Sequence, residues 1–372
     1  MSSETSSARN TGIDLLRLVC MYMIAVLHIC GQGGAMVRIA SRPAAYYACW
    51  LLETGATCAV NCYGLISGYV GIKSTFRPWK LLLLYLQVWF WSVLLFLVFG
   101  LSHPGWITVA VVQKAFLPVT FKSYWYFTGY VALFLMMPFL NTGIQAMTKR
   151  MQRSLALALI AVFSVSTMLP KLFSSDFLSL VGGYSFLWLL VLYVIGACLR
   201  EGGFTAPSGR KLVLLYTGMV MLAWIYKILM ENATRKYLGE ARYGKLFITY
   251  TSLPMLVCGL CMLLLFARLR LGTWMNKMVK VCSPAALGIY IIHAHPVIWE
   301  NILKKRFSWI HNLSPLPAAA AVLGSALLLF VFCLCLELLR IRLFEACHVS
   351  AFCRHLAGKL EEAWDRLIDR TL

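Results

Sequence analysis

The apolar residues of this chain fall into ten long runs, at about residues 12–31, 44–71, 79–101, 122–143, 154–170, 182–199, 211–231, 246–267, 281–299 and 317–339. All but the longer second run are close to the ~20 residues that a helix needs to cross about 30 Å of hydrocarbon. The polar connections between them are short and carry the chain's punctuation: Arg77-Pro78, His103-Pro104-Gly105, Gly202-Gly203, Pro315 and Pro317. The pattern predicts an all-α integral membrane protein, a bundle of about ten transmembrane helices. Segment 106–117 is apolar but too short to cross, and is expected to lie in the interface or re-enter. Three regions follow: an amino-terminal tail (1–11), a transmembrane domain (12–339) and a charged, amphipathic carboxy-terminal tail (340–372), helix-like around Lys359, Glu361, Glu362, Trp364, Asp365 and Arg366.

Composition sharpens this into an exclusion. Hydrophobic residues make up 60% of the chain and charged ones 13%, against roughly 45–50% and 25% in soluble domains. A soluble protein could not cover that much apolar surface. The first dozen residues are polar and show no basic, apolar and small-residue succession of a cleaved signal, so the first run is expected to stay as an anchor. The formal charge of +20 would suggest nucleic acid in a soluble protein. Here Lys and Arg flank the runs, where they set orientation and meet anionic lipid, and no nucleic-acid partner is expected. They are in excess on the side that holds both ends of the chain, which predicts cytoplasmic termini. Of the 13 cysteines, most lie inside apolar runs. Cys258-x-x-Cys261 has no second pair at metal spacing, so no metal site is expected. No internal repeat is evident, which counts against a transporter built from duplicated halves.

The few polar residues inside the runs carry the candidate chemistry. Arg17 and His28 stand eleven residues apart in the first run. At ~100° and ~1.5 Å per residue both project from one face, roughly 16 Å apart along the axis. Asp14, three residues before Arg17, can pair with it. Arg17 also reads as an interfacial anchor, and His28 as a histidine bonded to a neighbouring helix. An ionisable group in a span is nevertheless a functional candidate, because burying it is costly. Glu53 lies within the second run and Asn61 two turns further on. Pairing with Arg17, or orienting His28, would relieve the cost of the Glu53 carboxylate. Lys227 and Glu231, at i and i+4, read as a structural ion pair.

At these residues the chain resembles a known family. Arg17-x10-His28 is similar to the first-helix signature of the type-3 membrane acyltransferases, O-acyltransferases of bacterial surface glycans. Three more segments agree in order and spacing: Asn61-Cys-Tyr-Gly-Leu-Ile-Ser67-Gly68-Tyr69, Tyr124-Trp125-Tyr126-Phe127 with Pro138-Phe-Leu-Asn141, and Leu287-Gly-Ile-Tyr290-Ile-Ile-His293. The resemblance runs from about residue 10 to residue 340. It implies a multi-pass protein of the bacterial cell membrane that moves an acyl group, acetyl being the expected one, from cytoplasmic acyl-CoA to a hydroxyl of an extracytoplasmic or lipid-linked glycan. Many members carry a soluble esterase-like domain after the membrane part. This chain stops at Leu372, so such a partner would be a separate extracytoplasmic protein, or the acceptor is acylated directly.

On this reading Arg17 and His28 are the catalytic candidates. His28 would act as general base or as acyl-carrying nucleophile. The loop Gly71-Ile-Lys73-Ser-Thr-Phe-Arg77-Pro-Trp79-Lys80 reads either as a positive-inside loop or as a clamp for coenzyme A. In the clamp Lys73, Arg77 and Lys80 would hold phosphates and Trp79 would stack on adenine. Glu53, Asn61, Ser67, Trp125, Tyr290 and His293 are candidates for contacting substrate. His295 competes with His293, and the family pattern favours His293. Two other classes stay open: a carrier or flippase for a glycan or lipid-linked precursor, and a sensor domain that kept the fold without the chemistry.

Overall fold

The structure is a computed structural model that describes residues 9–38, 43–168 and 175–371, with side chains through residue 363. The outermost part of the predicted amino-terminal tail (1–8), the last two residues of the fifth apolar run (169–170) and the side chains of Trp364, Asp365 and Arg366 lie outside the described residues. Among the described residues the fold is all-helical. The helices are α1 (Thr11–Cys30), α2 (Pro43–Thr57), α3 (Ala59–Gly71), α4 (Pro78–Ser102), α5 (Val109–Phe116), α6 (Trp125–Ala146), α7 (Lys149–Ile160), α8 (Phe186–Glu201), α9 (Gly209–Leu238), α10 (Leu253–Ala267), α11 (Thr273–Cys282), α12 (Ala286–His293), α13 (Pro315–Ala346) and α14 (Val349–Thr371).

All ten predicted runs fall on helix, but not all as simple spans. Among the described residues five helices are long and apolar enough to cross a membrane: α1, α4, α6, α9 and α13. A sixth forms if the segment Thr273–His293 is joined to Pro296–Asn312, across a bend of 53°. The other four runs are shorter or broken. The second run divides at Cys58 into α2 and α3. The fifth begins on the basic, 12-residue α7 and passes into a π-helical turn at Ala161–Val165. α8 and α10 have 16 and 15 residues, about 24 and 22 Å at ~1.5 Å per residue.

Two layers result. α4, α9 and α13 are sheathing helices, with only 28, 22 and 17% of their most apolar windows buried. Their outward Leu, Val and Phe side chains, such as Leu97, Leu229, Leu328 and Phe332, face where lipid acyl chains would lie. α1 is buried over 67% of its window and packs on α2, α3, α10, α12 and α13. α8 is buried almost all round, from Trp188 to Cys198. It meets α3 backbone to backbone: a Cβ at Gly68 would stand 1.8 Å from the Tyr193 carbonyl, and one at Gly196 2.2 Å from the Leu65 carbonyl. The Ser-Gly step of the second run is thus a helix-packing device, as small residues are between membrane helices. The short apolar segment predicted at 106–117 contains α5, which lies against α4. α13 continues past the expected boundary at residue 339 to Ala346, and α14 folds back on α4.

Candidate functional site

One long cavity of about 1120 Å³ runs through the bundle. α6 lines it with Tyr126, Tyr130, Phe134, Pro138, Asn141 and Gln145, a stripe at three- to four-residue spacing that extends over most of the helix, about 30 Å from Trp125 to Gln145. α1 supplies a second stripe, Arg17, Met21, Ile24 and His28, which Gln32 extends from the turn beyond the helix. The unbroken helix between Arg17 and His28 preserves the spacing read from the sequence, so both side chains line the same wall. Arg17, Ser74, Thr75, Lys80 and Gln145 lie at one end of the cavity. Gln32, Lys114, Lys122, Trp125 and Glu300 lie at the other.

His28 is held from behind. Its Nδ1 lies 2.8 Å from Nε2 of His293, and Nδ1 of His293 lies 2.6 Å from the carbonyl oxygen of Ile289. A carbonyl can only accept, so His293 carries its proton on Nδ1 and presents a lone pair at Nε2. His28 must then donate from Nδ1, which leaves its own Nε2 with the free lone pair. His293 is 1% exposed and does not line the cavity, whereas His28 does. Trp299 meets the imidazole edge-on with ring centroids 4.7 Å apart, and Tyr290 lies tilted to it at 6.4 Å. The result is a histidine with a locked tautomer and a basic nitrogen left for a ligand. The competing His295 is turned elsewhere: its Nε2 donates to the Ser92 carbonyl at 3.1 Å, and its Nδ1 accepts from Val297 N.

At the other end Arg17 is anchored by Asp14, whose Oδ1 is 2.5 Å from Nη1. Asp14 is buried and also binds Arg9, which reaches Ser283 Oγ at 2.8 Å. The Tyr63 hydroxyl donates to the Arg17 carbonyl at 2.6 Å. Of the loop cations, Lys80 lines the cavity and the others are engaged outside it. Lys73 pairs with Glu201 at 2.9 Å, and Arg77 donates to Thr75 Oγ1 at 3.0 Å. The Trp79 ring is covered by the Arg354 guanidinium of α14, 4.7 Å from its centroid. That placement leaves Lys80 as the loop cation that lines the cavity, with one face of Trp79 taken up by α14.

Ser67, Trp125, Tyr290 and Glu53 also line the cavity. Ser67 Oγ donates to the Tyr63 carbonyl at 2.8 Å, an intrahelical bond with no base beside it. Glu53 pairs with neither expected partner: Arg17 is bound to Asp14, and His28 is oriented by His293. Glu53 Oε2 is buried and has no hydrogen-bond partner among the described residues. Asn61 is fully buried and away from the cavity. Its Nδ2 donates to the Tyr250 carbonyl at 2.8 Å, and its Oδ1 accepts from Trp188 Nε1 at 3.0 Å. It ties α3 to α8 and to the turn before α10. Lys227 and Glu231 do form an ion pair, with the Tyr46 hydroxyl donating to the carboxylate.

Sequence reasoning missed Trp299, which had no spacing signal. It also missed a buried cluster in which Glu337 of α13 accepts from Gln87 Nε2 at 2.9 Å, from Trp91 Nε1 at 2.5 Å and from Arg340. Glu337 within an apolar run was the available signal.

A histidine with a freed nitrogen, set in a cavity that runs lengthwise through a helical bundle, suits group transfer inside a membrane. The class is confirmed by comparison: a family model described as an acyltransferase domain matches residues 10–336, and the chain belongs to the type-3 acyltransferase family. Neither the curated proteins nor the solved structures compared show a match. The protein is thus a membrane acyltransferase, and the four motif segments all lie within the matched residues.

Proposed function

We propose that the enzyme transfers an acyl group, acetyl as the expected one, from cytoplasmic acyl-CoA to a hydroxyl of an extracytoplasmic or lipid-linked glycan, as an acyltransferase of class EC 2.3.1 in the bacterial cell membrane. Arg17 and Lys80 mark the donor end of the cavity, and both termini face the cytoplasm. The coenzyme's phosphates rest there, and its flexible pantetheine arm carries the thioester along the α1 wall towards His28. The acceptor enters from the opposite end. His28 Nε2 takes the proton of the acceptor hydroxyl, the oxygen attacks the thioester carbonyl, and the carbon–sulfur bond breaks to release the coenzyme thiol after protonation. In the alternative order the same nitrogen attacks first, and the acyl-imidazole then passes its group to the acceptor. The imidazolium that forms along the base route keeps its Nδ1 proton on His293, which strengthens that hydrogen bond as charge develops.

The observation that carries this reading is the freed Nε2 of His28 on the same cavity wall as Arg17. The test is coenzyme release and labelling of surface glycan from radiolabelled acetyl-CoA, comparing wild type with His28→Ala that inserts normally. Abolished labelling is expected. Undiminished labelling would remove His28 from the chemistry. A glycan carrier would release no coenzyme in either form.

A further inference from the structure

The end of the cavity remote from Arg17 is built unlike the rest. Three aromatic rings line it in a row: Trp125 and Tyr184 have centroids 4.8 Å apart, Tyr184 and Tyr250 5.0 Å, and the two tyrosine hydroxyls are hydrogen-bonded at 3.2 Å. Tyr184 is 52% exposed, and its loop is held in place rather than free. Asp176 accepts from Leu180 N at 3.0 Å and from Val181 N at 2.5 Å, and Gly182 and Gly183 take positive φ to turn the chain before Tyr184. Aromatic residues at membrane interfaces commonly form a lipid-facing belt. These three line the cavity instead.

Two lysines line the same end. Lys114 and Lys122 meet no carboxylate among the described residues. The segments that carry them are clipped together, since the Ser123 hydroxyl donates to the Lys114 carbonyl at 2.8 Å. Two carboxylates stand nearby: Glu300 is paired with Lys304 at 2.7 Å, and Glu53, close enough to act on Tyr250, lies in the field of Lys245 and Lys227. The rings are tilted to one another, by 57° and 49°, so each turns a face of its own on which the C–H side of a sugar ring can stack. Uncompensated cations beside it add a preference for negative charge.

We infer that the Trp125–Tyr184–Tyr250 row and the Lys114–Lys122 pair form an acceptor subsite for an anionic sugar, one bearing a carboxylate or a phosphate. The inference rests on the acyl-transfer reading for what happens next, but not for binding itself. The probes are glucuronic acid, glucose 1-phosphate and methyl glucoside, titrated into purified wild-type protein in lipid nanodiscs and followed by saturation-transfer NMR. The two anions bind about tenfold tighter than the neutral glucoside, and added salt narrows the gap. Lys114→Gln with Lys122→Gln erases the preference, whereas Tyr184→Ala weakens all three probes. Tighter glucuronic acid identifies a uronic-acid glycan as the acceptor; tighter glucose 1-phosphate identifies a phosphate-linked precursor. Equal affinities for all three probes, or a preference that survives the double lysine change, would overturn the subsite. Acetyl-CoA titrated into the same nanodiscs tests the donor reading separately. An absent donor signal alongside intact anion preference would defeat that reading and leave the subsite standing.

Discussion

His293→Ala removes the acceptor for the His28 Nδ1 proton at a residue that does not itself line the cavity. Two consequences follow. The ground-state imidazole is no longer held in the tautomer that exposes Nε2 to the ligand. The imidazolium formed during proton transfer also loses its 2.8 Å partner. A hydrogen bond to an ionised group contributes ~1.5–3 kcal/mol, and each ~1.4 kcal/mol of barrier is tenfold in rate. Turnover should therefore fall about 10- to 100-fold, with donor KM unchanged. His28→Ala loses the proton transfer itself, about 10²- to 10⁴-fold. Because His293 acts through His28, the double variant should be no slower than His28→Ala alone. The assay is coenzyme thiol release in the presence of acceptor, with thermal stability measured on every variant. His295→Ala serves as the comparison, since that ring bonds to the Ser92 carbonyl instead, and its turnover should stay within about threefold of wild type. Multiplicative losses in the double variant, or an equal loss in His295→Ala, would refute the assignment of His293 as the positioning residue.

Three further outcomes follow from the geometry. Lys80→Ala should weaken acetyl-CoA binding about tenfold through a lost charge-assisted contact, whereas Trp79→Ala should leave affinity unchanged because Arg354 covers that ring; isothermal titration separates the two. Gly68→Ala should abolish stable insertion or lower the thermal midpoint sharply, as its Cβ would meet the Tyr193 carbonyl at 1.8 Å; size-exclusion behaviour and a melting curve report it. Asn61→Ala strands the Trp188 indole N–H and the Tyr250 carbonyl, costing ~1–3 kcal/mol per unsatisfied buried group, and should appear as lost stability without a selective rise in donor KM.

Much of the first helix was legible because a regular helix turns sequence spacing into geometry: eleven residues put Arg17 and His28 on one stripe, and Asp14 within reach of Arg17. The number of spans was less legible. Apolar runs buried in protein and runs buried in lipid look alike in a hydropathy profile, so α8, enclosed on nearly all sides by other helices, reads like the lipid-facing α4. A window average is also blind to a backbone break such as the one at Cys58. The role of His293 as the partner of His28 could not be read, because the two are 265 positions apart and only packing brings them together. Asn61 was correctly singled out as an unusual polar residue, but sequence does not tell a cavity-facing amide from one used to join helices. The aromatic row needs three separate segments to converge, and of its members Trp125 alone lies in a motif segment read from the sequence.

On the proposed mechanism, donor and acceptor meet in one cavity entered from opposite faces of the membrane. Sealed vesicles from an expressing strain test it directly, using radiolabelled acetyl-CoA, which does not cross the bilayer. Inverted vesicles should label the glycan enclosed in their lumen, while right-side-out vesicles should label theirs only after detergent opens them. His28→Ala should label neither. Equal labelling of right-side-out vesicles from the outside would contradict entry from opposite faces, for it would place donor and acceptor on the same one.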